Sequence, residues 1–131
     1  MPDEIAGRAL ARQHWLAGSG ETRLSVYAAQ ILPRGRELDR AVRAGAPRRV
    51  IEVLALRLAW STDRIVDQAL ELHDRGTAQP ATRTLTLVRA MQRELDRLEG
   101  QAQPEVRPVL QRLRSFLEGQ ERRLVNALAV E

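Results

Sequence analysis

The chain has 131 residues, 44% of them hydrophobic and 3% aromatic, with 21 arginines, no lysine, 17 acidic residues and a net charge of +4. That length suits a single domain over residues 1–131, and the scarcity of aromatics leaves Leu, Val, Ile and Ala to build the core, a composition that favours helices over sheets. The lack of cysteine excludes disulfides, thiolate metal sites and thiol nucleophiles, and the lack of lysine excludes Schiff-base chemistry.

In chain order, Asp3 can cap a first helix with Glu4 in its first turn, and Ile5, Ala9, Leu10, Leu16 and Ala17 give it a short apolar face. Gly18, Ser19 and Gly20 end it. A second helical pattern runs over about 21–44 through Leu24, Tyr27, Ala28, Ile31, Leu38, Ala41 and Val42. Pro33 removes a backbone donor and Gly35 weakens the same place, so the pattern predicts a kink or a break near Leu32. Gly45, Ala46 and Pro47 punctuate the chain before the next helix.

Residues 48–75 form the most apolar long segment, and the rest of the chain is expected to pack around it. Val50, Ile51, Val53, Leu54, Leu56, Leu58, Ala59 and Trp60 leave almost no polar face. This first half is expected to be surrounded. From Ser61 the apolar face narrows to Ile65, Val66, Ala69, Leu70 and Leu72, and this second half is expected to pack on one side only. Ser61, Thr62 and Asp63 are capping residues that offer a break, but the pattern favours one continuous helix. Gly76 ends it, and Thr77 to Ala81, with Pro80, form a turn.

Two clean stripes follow. Val88, Met91, Leu95 and Leu98 repeat at helical spacing, as do Val106, Leu110, Leu113, Leu117 and Leu124 after a turn holding Gly100 and Pro104, which predicts an antiparallel helical hairpin. Gln120 stands on the second stripe where leucine is expected, and there it either sets register or faces a partner. The chain therefore reads as all-α, an antiparallel bundle of four or five helices around a central buried helix at about 48–75.

The string His14-Trp15-Leu16-Ala17-Gly18-Ser19 resembles the phosphorylated motif of histidine phosphotransfer domains, and Arg36 to Arg40 with Val42 to Gly45 are similar to the helix end that follows it in that family. Ala17 occupies the place of the family's lysine. The resemblance implies a helical bundle in which an exposed His14 accepts a phosphoryl group from a receiver domain.

The remaining candidates come from the residues themselves. Only His14 and His73 are histidines, and neither has carboxylates at the three- or four-residue spacing that helical metal centres use, so no metal site and no cofactor is expected. No serine sits in a glycine elbow and no glycine loop has the form that cradles phosphate, so catalysis is not expected. An apolar pocket between helices would leave no motif. Arg34, Arg36, Arg40, Arg43, Arg48 and Arg49 form a local excess of basic charge diluted only by Glu37 and Asp39, a pattern that suits nucleic-acid phosphates or an acidic protein.

Arg57 and Trp60 lie inside the apolar half of segment 48–75. A buried Arg57 must find a carboxylate or snorkel to water; failing both, this helix is half exposed and is covered by another subunit or protein. The leading expectation is a non-enzymatic protein that works by association, as a homo-oligomer, adaptor or chaperone, with Arg57, Trp60 and Gln120 at the interface. Phosphotransfer through His14 and nucleic-acid binding through 34–49 are the alternatives. The arginine-rich, lysine-free composition suits a GC-rich bacterial genome. No segment approaches the roughly 20 apolar residues of a membrane span, and Asp3 and Glu4 replace the basic start of a secretory signal, so a cytoplasmic protein with no membrane partner is expected.

Overall fold

A computed structural model describes residues 20–129, with side chains from residue 24 onward. These residues form four α-helices and no strand: α1 (Gly20–Arg43), α2 (Arg48–Asp74), α3 (Gln79–Glu99) and α4 (Arg107–Ala129). The helix expected before Gly18 lies outside the described residues, and so does His14.

Helix α1 runs unbroken through Pro33. The carbonyl that loses its donor is that of Ala29, and both Ala29 and Pro33 are exposed, so water takes the donor's place and no break follows. Helix α1 ends at a glycine in the left-handed region: Gly45 has φ +70°, and the Ala46 amide reaches back to the Ala41 carbonyl at 2.9 Å. Gly76, with φ +97°, does the same for α2, where the Thr77 amide donates to the Leu72 carbonyl at 2.9 Å. Both stops stand where the sequence puts them. Helix α3 starts earlier than expected, because Pro80 falls in its first turn, where a missing N–H costs nothing.

Helix α2 continues through Ser61, Thr62 and Asp63 because their side chains find partners other than the local amides that would cap a new helix. Thr62 Oγ1 donates to the Leu58 carbonyl at 2.8 Å, one turn back. The Ser61 hydroxyl accepts from Arg34 of α1 and donates to Gln30 Oε1 at 3.3 Å. Asp63 Oδ1 accepts from Gln120 Nε2 of α4 at 3.1 Å. Residues that could interrupt the helix are instead used to attach its neighbours.

Helix α2 packs against each of the other three, α3 and α4 pack closely as the expected hairpin, and α1 touches α3 only sparsely. Helices α1 and α4 do not pack on one another. The core is a cluster of aliphatic side chains: Ile31, Leu38 and Val42 from α1, Ile51, Leu58, Ile65 and Val66 from α2, Val88, Leu95 and Leu98 from α3, and Leu110, Leu113, Leu117 and Leu124 from α4. At about 1.5–3 kcal/mol for each large aliphatic side chain taken from water, this cluster dominates the folding energy. Polar contacts border it. Arg114 of α4 bonds Asp96 of α3 and lies 3.0 Å from Glu99. The hydrogen bond to Asp96, followed by the charge of Glu99, raises the Arg114 pKa above its ordinary value.

The structure corrects the expected burial of α2. Of its first half only Ile51, Ala55 and Leu58 are buried, whereas Ser61, Thr62, Ile65, Val66, Gln68, Ala69 and Leu72 are buried in its second. The half that is apolar nearly all round is the open one. Helices α1 and α4 do not meet over α2, so one of its faces stays without a covering helix, and over residues 50–60 that face is apolar.

Candidate interaction groove

That open side is a stripe at helical spacing. Val50, Val53, Leu56 and Trp60 are 44%, 45%, 69% and 46% exposed, large values for four apolar side chains on three consecutive turns. Arg34 of α1 stands on one side of the stripe and Phe116 of α4 on the other, and between them Val53, Leu56, Arg57, Ala59, Trp60 and Asp63 line a groove of about 720 Å³. A smaller depression of about 260 Å³ adjoins it along α4, where Arg112 and Phe116 face Leu56 and Ala59. Leu56 belongs to both and projects into solvent between them.

Trp60 is held rather than loose. Its ring meets the Tyr27 ring edge-on, with centroids 6.0 Å apart and planes at 83°. The guanidiniums of Arg34 and Arg64 lie 5.6 Å and 5.3 Å from its centroid, within cation–π range. Arg34 is fixed in turn by donating to the Arg57 carbonyl at 3.1 Å and to Ser61. The groove therefore has a preorganised aromatic floor.

One end of the groove is closed by charge pairing. Arg123 of α4 lies 3.5 Å from Asp63 and 2.7 Å from Asp67 of α2, and it also donates to Gln120 Oε1 at 2.8 Å. Gln120, expected at a partner interface, is buried and spends both ends of its amide inside the chain, on Asp63 and Arg123. Its bond to Asp63 joins α4 to α2.

Arg57 is exposed, and no carboxylate among the described residues pairs with it. Of the two outcomes set for Arg57 from the sequence, a carboxylate partner or a path to water, the second is the one found, and the helix around it is half exposed all the same. Arg57 and Trp60 come together at the groove. Val53, Leu56, Arg64, Arg112 and Phe116 join them there without having been singled out from the sequence. The spacing of Val50, Val53, Leu56 and Trp60 was visible, but which face of an all-apolar segment stays open was not.

The six arginines of 34–49 do not form one patch. Arg34 turns to Trp60 and Ser61, Arg43 bonds Asp39 at 2.9 Å and Gln101 of the α3–α4 turn, and Arg48 bonds Glu52 at 2.8 Å. Arg36, Arg40 and Arg49 are exposed with no acceptor among the described residues. Arg36 and Arg43 border a different apolar cleft of about 470 Å³ between α1 and α3, lined by Ile31, Leu32, Leu87 and Met91, with Asp39 and Glu94 also at its edge. Its rim carries both signs of charge.

His73 Nε2 lies 2.9 Å from the Ala127 carbonyl, which makes Nε2 the donor, and its buried Nδ1 has no partner among the described residues. No group of three or more histidines and carboxylates is placed to hold a metal ion among the described residues. No described helix is long and apolar enough to cross a membrane. No protein-family model matches the chain, and neither a curated protein nor a solved structure matches it.

Proposed function

We propose that this protein is a helical bundle that works by binding another protein, without catalysis, and that the α1/α4 groove over α2 is its docking site. The observation that carries this reading is the stripe Val50, Val53, Leu56 and Trp60, four of the six exposed large hydrophobic side chains among the described residues gathered on one helix face. Isolated exposed leucines are ordinary on protein surfaces; three turns of contiguous exposed Val, Leu and Trp on a rigid helix are the composition of a binding site. Trp and Arg are also the residues that most often carry binding energy at interfaces, and here they sit at the centre of the groove. An amphipathic helix laid along it, apolar side down, would cover the stripe and complete the packing around α2.

The test is titration of the full-length chain with a synthetic amphipathic helix whose apolar stripe is leucine and whose remaining surface is neutral glutamine. Saturable shifts of the Trp60 indole resonance and of the Val53 and Leu56 methyls are expected, and Leu56→Ser should abolish them. No shift at about 1 mM, a limit that corresponds to roughly −4 kcal/mol of binding, with this helix or with versions whose flanks are charged, would remove the reading.

A further inference from the structure

The groove's rim carries a charge that its floor does not need. We propose that its occupant is an acidic amphipathic helix of a partner protein, one whose apolar stripe is flanked by Asp or Glu; the proposal rests on the reading of the groove as a docking site. Five arginines border the stripe without a carboxylate partner among the described residues: Arg49, Arg57 and Arg64 on α2, Arg34 on α1 and Arg112 on α4. Arg57 and Arg64 stand one turn before and one turn after Trp60, and Arg49 lies two turns before Leu56 on the same face. A helix seated on the stripe is therefore met by three guanidinium groups along α2 and by one from each wall, Arg34 and Arg112.

The carboxylates nearby cannot offset them. Glu52 is held by Arg48 at 2.8 Å, and Asp63 and Asp67 are both held by Arg123. Elsewhere on the fold, arginines on one helix face carboxylates on the next: Arg89 with Glu121 at 2.8 Å, and Arg114 with Asp96 and Glu99. At the groove no described residue supplies the matching acids. The complementary carboxylates then belong to the partner, where planar guanidiniums pair with them in bidentate fashion while the apolar stripe is buried between.

The same charges argue against other occupants. A second copy would bring Arg57, Arg64 and Arg112 against themselves across a two-fold axis, with every carboxylate at the groove already engaged. Residues 1–19 carry Asp3 and Glu4 against Arg8 and Arg12 and present no acidic excess. The apolar part of the groove, from Val50 to Trp60, is about 15 Å long at the rise of an α-helix, so the partner contributes about three turns.

The experiment compares three helical peptides of about eighteen residues that share one leucine stripe and differ only in its flanks, which are glutamate, glutamine or arginine. Binding to the full-length chain is followed by Trp60 fluorescence in a Trp15→Phe background, and self-association by light scattering. The glutamate helix is expected to bind at least about tenfold more tightly than the glutamine helix at low salt, and the advantage should shrink to within about threefold near 0.5 M salt. The paired change Arg57→Glu with Arg112→Glu, two exposed side chains with no carboxylate partner among the described residues, leaves three of the five arginines against two new carboxylates and should bring the glutamate and arginine helices to within about threefold of one another. Equal binding of all three peptides would overturn the acidic partner while leaving the groove a docking site, and binding of none would overturn both. A dimer that Leu56→Ser dissociates would assign the groove to a second copy and overturn the proposal.

Discussion

Residues 48–60 and 61–74 belong to one unbroken helix that is open along the same face throughout, yet that face carries Val50, Val53, Leu56 and Trp60 in the first half and Arg64, Asp67 and Asp74 in the second. The first half is rich in Val, Leu and Trp and leaves four of them in water; the second contains Ser61, Thr62 and Gln68 and buries all three. A helix half is enclosed according to how many neighbours reach it, and its own hydropathy sets only what enclosure is worth. Around the second half, α4 is drawn in by Gln120 and Arg123 on Asp63 and Asp67, and by His73 against the Ala127 carbonyl. Around the first half α1 and α4 stay apart, and Arg34, bonded to Ser61, fixes one wall without crossing the gap.

The largest contrast should appear on truncation. Ile65→Ala removes a fully buried side chain from the enclosed half and is expected to cost about 2–5 kcal/mol in urea unfolding. A loss below about 1 kcal/mol would mean that the enclosed half is as loosely packed as the open one. Next in size is Gln120→Leu, which keeps the volume on the α4 stripe but strips Asp63 and Arg123 of their amide link. A loss of about 1–2 kcal/mol is expected, and an unchanged midpoint would show that packing alone holds α4 on this end of α2.

Ser61→Ala stands at the boundary between the halves. It deletes the acceptor of Arg34 and the donor to Gln30, with an expected loss of about 1 kcal/mol. Because Arg34 then keeps only the Arg57 carbonyl to hold it beside Trp60, the tryptophan emission should shift as well; a stability loss with unchanged emission would show that this carbonyl alone positions Arg34. The smallest effect is expected at the most exposed leucine. Leu56→Ser should change stability by no more than about 0.5 kcal/mol, apart from the small loss of helix propensity, although it removes a larger side chain than Ser61→Ala does. A cost of about 2 kcal/mol or more at Leu56 would show that the stripe is covered within the chain itself, and the comparison between the halves would collapse.

Much of the fold was legible because it is written in local terms. The stops at Gly45 and Gly76 require a left-handed backbone that only glycine adopts without strain, and the α3 and α4 stripes declare their period directly. Of the kink or break expected at Pro33 no break appears, because a proline's cost depends on whether the orphaned carbonyl faces solvent, which exposure decides. Gln120 was recognised as a polar residue on an apolar seam, but its two partners lie on α4 itself and on α2, far apart in the chain.

The candidate site divides along the same line. Sequence by itself determined that the fold is helical, that segment 48–75 carries more apolar surface than one stripe needs, and that Arg57 within it required an explanation. Periodicity and charge are properties of consecutive residues, so these conclusions needed nothing else. Only the tertiary structure decided which face of α2 is covered, that Arg34 leaves the 34–49 cluster to pack on Trp60, and that Phe116 and Arg112 from α4 complete the groove. Those facts depend on where α1 and α4 settle against a helix apolar nearly all round, and a helix with no polar side gives the sequence no mark of which side its neighbours will take.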